Sequence, residues 1–578
     1  MKPQKATTLN QTRISISNIR KQWITAVVGL FALCVLLWSP FGVNHVGLVE
    51  EWTFYKAQAA GEFPYLVTLN RLGQLLPNAL SILLTPDSFV GLYLLIAAVT
   101  LLKGLLLYSI LRRLMRNSTA LAFAVAFLWT IYPADTGLFN TRNEMYQLAI
   151  VSYLFALYAY LRWWDTGRAF YLLPMWICQT VCLTTIEVAF PLVFVTPLVL
   201  IWQENRLSRR GMKYAAIWLI VPVIVILWTI QLFISHALFY QSGVLDLSLS
   251  SASSLASITF SFGYMYLQQF AFGWILALTS PLDIRLKILA VAVGVLAGVL
   301  TYFQTQSLRY YYVPHLRRWA YSGLVIMALG YVTFMVSKNH RQLMDRVFLL
   351  SSAGAALTLI IAVWSIVMYL PTPRRRIAFS LAVGVLTAWA GLWAYERQYE
   401  MVHYSDLETK ILSGITRQVP AWSSQHIVMV VFDRTGTLAT GDIIATFGNI
   451  AILDSAELKF GANSTSRHFQ DALRYIYNSD NISAVLCFPD TMTQRANLEQ
   501  CEFHDDNFVF HSQSMVGGTY HYDEIIAFEY TGDIMLLATL TLPNGKLVAN
   551  YQPKRIINNS APLPRRYFTL FPANILQH

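Results

Sequence analysis

Residues 23–56 read WITAVVGLFALCVLLWSPFGVNHVGLVEEWTFYK, an apolar run that stops at Ser39-Pro40 and gives way to a polar stretch holding the acidic pair Glu50-Glu51. Lys2, Lys5, Arg13, Arg20 and Lys21 precede the run. No small-x-small cleavage site follows it, so it reads as an uncleaved first membrane span. Comparable apolar runs recur near Phe89–Ile110, Thr119–Tyr132, Tyr146–Trp163, Phe170–Thr184, Val188–Trp202, Tyr214–Phe233, Ile258–Leu278, Ile288–Phe303, Trp319–Val336, Val347–Leu370 and Ile377–Tyr395. With the first run these make twelve candidate crossings of a hydrocarbon core about 30 Å thick.

Composition agrees. Of the 578 residues, 56% are hydrophobic and 13% charged, which excludes an ordinary soluble enzyme. The charge is divided: residues 1–399 hold 30 Lys and Arg against 13 Asp and Glu, and residues 400–578 hold 12 against 18. A net charge of +11 raises nucleic-acid binding as a possibility, but the basic residues lie in short clusters between apolar runs, the pattern of cytoplasmic loops. Nucleic acid is therefore not an expected partner.

Lys and Arg asymmetry sets the orientation. An internal N-terminus places Arg112/Arg113/Arg116, Arg162/Arg168 and Arg206/Arg209/Arg210/Lys213 in the cytoplasm. Arg309/Arg317/Arg318 and Arg374/Arg375/Arg376 reach that side only if Ile258–Leu278, interrupted by Gln268-Gln269, is interfacial or re-entrant. The expectation is an α-helical polytopic protein of the cell membrane with about eleven transmembrane helices, followed by a C-terminal soluble α/β domain. Its parts are a cytoplasmic segment 1–21, a membrane domain 22–398 with a large outside loop 39–87, and an extracytoplasmic domain 399–578. Cys487 and Cys501 of that last domain are placed to bridge in an oxidising compartment. Lys103, inside the second span, is expected to snorkel toward the cytoplasmic end.

Candidate chemistry gathers on the outer side. Glu50 and Glu51 offer a general base for an acceptor hydroxyl or ligands for a divalent cation; the competing reading is a loop of solvated charges. Arg142, in the second outside loop, offers an anion clamp or pairs with Glu144 or Asp135. Glu187 sits at a membrane boundary, where a carboxylate is costly to dehydrate. Lys338, Arg341 and Arg346 break the charge rule, which an anionic lipid head would explain. In the tail, Ile427–Phe432 followed by Asp433-Arg-Thr-Gly-Thr approaches the haloacid-dehalogenase nucleophile motif, weighed against a plain strand ending in a turn.

The acidic pair after the first span, Tyr132-Pro133 and Arg142 in the second outside loop, and Glu187-Val-Ala-Phe-Pro191 opening the sixth span together resemble the GT-C class of integral-membrane glycosyltransferases, on its polyprenyl-phosphate mannosyltransferase-like branch. The resemblance covers about residues 20–370. The sequence departs from the family's usual Asp-containing pair and from its Ser-Lys-Glu before the sixth span. It implies sugar transfer, with inversion, from a polyprenyl-phosphate carrier to an unknown hydroxyl acceptor, with membrane lipids as surroundings and no metal ligand assigned. Glu51 or Glu50 would be the base; Arg142, Arg341 and Arg346 would stabilise the departing phosphate; Arg71 and Glu187 would orient substrate. A secondary transporter using Glu187 and Lys103, or a non-catalytic cell-envelope scaffold, are the competing classes.

Overall fold

The computed structural model describes residues 5–47, 51–61, 76–115, 118–135, 137–204, 209–235, 252–305, 316–336, 347–433, 465–487, 500–511, 518–541 and 545–571. The chain forms two units. One comprises Met1–Gly42, Leu69–Gln74 and Ile96–Tyr399; the other joins Val43–Thr68 and Leu75–Leu95 to Glu400–His578.

In the first unit a helix occupies each apolar run. Among the described residues, five helices are long and apolar enough to cross a membrane: Arg20–Trp38, Val90–Leu114, Gly211–Leu232, Ile284–Thr305 and Thr372–Gln418. Others are shorter. Thr119–Thr130 has 12 residues, all buried. At 1.5 Å per residue it is roughly 18 Å long, too short to cross alone, and it serves as a central post around which longer helices pack. Ala252–Ala271 runs through Gln268 and Gln269, is not among the five, and passes through Gly273, with φ +77°, into the 3-10 turn Leu276–Thr279.

Small residues allow two close helix crossings, as membrane interiors favour. A Cβ on Gly294 would lie 2.5 Å from both the Ala388 Cβ and the Gly384 carbonyl oxygen, across Ile284–Thr305 and Thr372–Gln418. A Cβ on Gly323 would lie 2.3 Å from the Thr358 hydroxyl, across Leu316–Tyr331 and Ser352–Val367.

The last apolar run, Ile377–Tyr395, and the start of the tail, assigned to separate domains from the sequence, are one continuous helix of 47 residues, Thr372–Gln418. Its length of roughly 70 Å is more than twice the hydrocarbon thickness, so its C-terminal half extends beyond the membrane. Glu396, Arg397 and Glu400 end the apolar run, but polarity does not end a helix, and no proline intervenes before Pro420.

The second unit has two sheets. The strand Ile427–Asp433 (β1) lies between Ile482–Cys487 (β2) and Ile525–Tyr530 (β6), parallel to both, and Ile534–Leu536 (β7) closes the β6 edge antiparallel. The unbroken apolar run Ile427–Phe432 suits a central strand with both faces covered. The helix Thr465–Tyr477 covers the β2 edge. Its Arg474 donates to the Ile482 carbonyl at 2.7 Å, its Gln470 accepts from the Ala484 amide at 3.2 Å, and its Ser466 accepts from the Leu486 amide at 3.0 Å. Alternate backbone groups of a free strand edge are thereby satisfied by one helix face.

Gln500–Phe503 (β3), Asn507–His511 (β4) and Gly518–His521 (β5) form a second, antiparallel sheet. Cys487 at the end of β2 is disulfide-bonded to Cys501 in β3, the pairing that the sequence leaves open. The sheets share a core of Val428, Val430, Val485, Ala527, Phe508 and Phe510.

Replacing Gly294 with Leu should force the two helices apart and lower the melting temperature of the detergent-purified protein, at a cost of at least 1–3 kcal/mol, on the order of overpacked cores. Gly263, whose Cβ would meet nothing within 4 Å, should accept Leu with little change in the same melt.

Candidate active site

The acidic pair lies where the chain leaves its first span. The helix Glu51–Ala59 begins at Glu51, and Glu51, Trp52 and Tyr55 are buried on one side of it. This is the i, i+1, i+4 pattern of a face turned into a core. Glu51 is 2% exposed, which removes the reading of this carboxylate as a solvated loop charge. Glu50 lies outside the described residues.

The surroundings of Glu51 come from the second unit itself. Trp52 donates its indole N–H to Oε1 of Glu408, a carboxyl on the extramembrane half of Thr372–Gln418 with no exposed surface. Glu408 Oε2 has no hydrogen-bond partner among the described residues. Burial pushes the Glu408 carboxyl well above the usual carboxylate range; the Trp52 indole opposes this and the charge of Glu51 adds to it. Tyr93 lies within electrostatic reach of both carboxyls and donates to the Val46 carbonyl at 2.8 Å. Ser405, one helical turn before Glu408, accepts from the Val46 amide at 2.9 Å and donates to its carbonyl at 3.2 Å. The Tyr55 hydroxyl meets Ser81 Oγ at 2.7 Å and donates to the Ser88 carbonyl at 3.2 Å.

Two more contacts fix this loop. Thr53 donates to Asp471 at 2.6 Å. Asp87, with a left-handed φ of 61°, accepts from Arg566 Nε at 3.0 Å and the Tyr475 hydroxyl at 3.1 Å, while the Arg566 guanidinium lies 4.3 Å from the Tyr475 ring centroid. Among the described residues, no group of three or more His, Cys, Asp and Glu could hold a metal ion. The cluster is thus a buried carboxyl pair with aromatic walls, a setting suited to moving protons.

The first unit holds the loop between Thr119–Thr130 and Glu144–Thr166. Tyr132 donates to the Gln269 carbonyl at 2.9 Å, and a Cβ on Gly273 would lie 2.4 Å from the Pro133 carbonyl oxygen. Asp135 accepts from Lys103 Nζ at 2.6 Å. Gln147 joins them, accepting from Lys103 at 3.3 Å and donating to Asp135 at 3.2 Å, and Nζ lies 4.6 Å from the Trp129 ring centroid. The expectation that Lys103 snorkels fails. It has no exposed surface, because a partner folded back from the loop makes an internal ion pair available.

Asp135 is therefore engaged by Lys103. Glu144, buried and close enough to Lys103 to feel its charge, has no hydrogen-bond partner at either oxygen among the described residues. Arg142 sits on the 3-10 turn Thr141–Asn143 that leads into Glu144–Thr166, and Glu187 on the 3-10 turn Glu187–Ala189. Thr333 donates to the Val188 carbonyl at 3.2 Å and ties the second turn down. The Arg142 and Glu187 side chains, and Arg71, Arg341 and Arg346 entirely, lie outside the described residues, as does the stretch after Asp433 needed to judge the dehalogenase-like motif. The first unit also has a partly open apolar cavity of about 110 Å³, lined by Leu107, Leu111, Leu157, Leu200 and Trp319, with Thr196 and Tyr153 hydrogen-bonded to each other at 2.7 Å.

No protein-family model and no curated protein matches the chain. Among solved structures it is similar to ArnT from Cupriavidus metallidurans bound to undecaprenyl phosphate, at 13% identity over 70% of this chain and 82% of that one, with a TM-score of 0.32. So slight a likeness carries no argument about activity.

Lys103 and Asp135 support each other. Lys103→Met should destabilise the protein by about 3–5 kcal/mol by stranding a buried carboxylate, and adding Asp135→Leu should restore much of the loss. Melting temperatures of the two single variants and the double variant in detergent check this.

Proposed function

We propose that the protein is a GT-C-type membrane glycosyltransferase that moves a sugar from a polyprenyl-phosphate carrier to an acceptor hydroxyl on the extracytoplasmic side. The observation that carries the reading is the buried Glu51 directly after the first span, with the buried Glu408 of Thr372–Gln418 beside it, in a protein whose other features are those of a membrane helix bundle. Burying two acids together opposes stability, and such arrangements concentrate where protons are transferred. The disulfide Cys487–Cys501 suits an oxidising, extracytoplasmic location for the tail. The apolar cavity offers room for a stretch of isoprenoid chain.

In this mechanism Glu51 or Glu50 takes the proton of the acceptor hydroxyl as its oxygen attacks the anomeric carbon from the face opposite the lipid phosphate. The bond to the phosphate oxygen breaks and the configuration inverts. Arg142, Arg341 and Arg346 stabilise the charge that builds on the leaving phosphate, and Arg71 and Glu187 orient the sugar. The lipid-linked donor is favoured because the sequence holds no glycine-rich fingerprint for a nucleotide sugar.

A secondary transporter is the second reading, favoured by the buried Lys103, Asp135 and Glu144 in the first unit.

Full-length protein in proteoliposomes containing an undecaprenyl-phosphate-linked hexose should release undecaprenyl phosphate when supplied with acceptor. Substituting Gln for whichever of Glu50 and Glu51 is the base should reduce that release by about 10²-fold or more, the usual worth of a general base. Full activity in both variants would overturn the transferase, and counterflow of labelled solute without donor consumption would establish the transporter.

A further inference from the structure

Glu408 belongs to no motif in the first-loop region, lying 356 residues from its hydrogen-bond partner Trp52. We propose that it is a positioning residue for the acidic pair, holding Trp52 and presenting a second carboxyl against Glu51. The proposal rests on the reading of the first-loop acids as the catalytic base.

Three observations carry it. First, Trp52 directly follows Glu51, so the indole bond to Glu408 fixes the first turn of Glu51–Ala59, the turn that carries Glu51. Second, the contact is set from both ends of its surroundings: Ser405 bonds both backbone groups of Val46 on the tail side, and Phe89 packs edge-on against Trp52 at 4.8 Å between centroids on the loop side. Third, Glu408 Oε2 is buried with no hydrogen-bond partner among the described residues. An ionised carboxylate is poorly served there, whereas a protonated one leaves Glu51 the only negative charge of the pair.

Ionisable groups on the surrounding elements include Glu51, Tyr55 and Lys56 from the first-loop helix, Tyr93 from Val90–Leu114, His45, then His403, Asp406 and Lys410 on Glu408's own helix, and His468, Asp471, Arg474 and Tyr475 on Thr465–Tyr477. His45 and Asp406 form a loose pair at 3.9 Å. Only Glu51 adds charge against Glu408 appreciably.

A carboxyl whose folded form keeps its proton binds more protons folded than unfolded. Its contribution is present at pH below the ordinary carboxylate range and is lost as pH rises toward the raised folded value. Melting curves of full-length protein in detergent against pH should therefore fall over that interval, and Glu408→Gln, which keeps an acceptor for the indole and cannot ionise, should flatten the fall. Glu408→Ala should lower the melting temperature at every pH by stranding the Trp52 N–H.

In the turnover assay with the undecaprenyl-phosphate-linked hexose, the paired acids should give the wild type two coupled titration steps, and Glu408→Gln should collapse them to one. A Glu408→Gln protein with a melting slope and a turnover profile superimposable on the wild type overturns the proposal. If Glu50→Gln or Glu51→Gln is inactive in that experiment, the transferase reading survives and Glu408's role alone falls. If both are fully active, the transferase reading falls and the positioning of a catalytic base falls with it, while the melting slope still reports the buried proton.

Discussion

The indole–carboxyl contact between Trp52 and Glu408 governs much of the second unit. It brings the helix after the first span against the extramembrane half of Thr372–Gln418, and lesser bonds join the same segments to the tail: Val46 with Ser405, Thr53 with Asp471, and Asp87 with Arg566. Each of these joins a loop residue to one more than 300 positions away. No interior of only a few loop helices could bury Trp52, Tyr55 and Phe89; the tail supplies the missing apolar surface.

The first unit solves a related problem differently. There the buried Lys103 is neutralised inside by Asp135, with Gln147 bridging the two. An ion pair at this depth contributes little net stability against an apolar alternative, but it specifies where the loop carrying Asp135 must go. With Tyr132 on Gln269 and Pro133 against Gly273, that loop is fixed at three points before it reaches the Arg142 turn.

The helices were legible because membrane spans are written in continuous apolar runs, and β1 was legible because Ile427–Phe432 has nothing polar in it. The strands β3, β4 and β5 were missed: QCEF, NFVFH and GTYH are short and mixed, and they become strands by pairing with one another. The continuity of Thr372–Gln418 was hidden by a change from apolar to charged residues that reflects a change of solvent along one rod. Lys103 was misjudged and Glu408 overlooked for one reason. Their partners, 32 and 356 residues away, have no signature in local spacing. Of the proposed site, sequence indicated Glu51 and the turns bearing Arg142 and Glu187, but not what each leans on.

The second unit is stitched from segments far apart in the sequence: Val43–Thr68 and Leu75–Leu95 leave the ribosome well before Glu400–His578. During biogenesis the early pieces must wait, with Trp52 and Phe89 unsheltered, while more than 300 intervening residues are threaded into the bilayer. Chaperone cover over that interval, more than the chemistry of any single span, would set how much of the newly made protein reaches maturity.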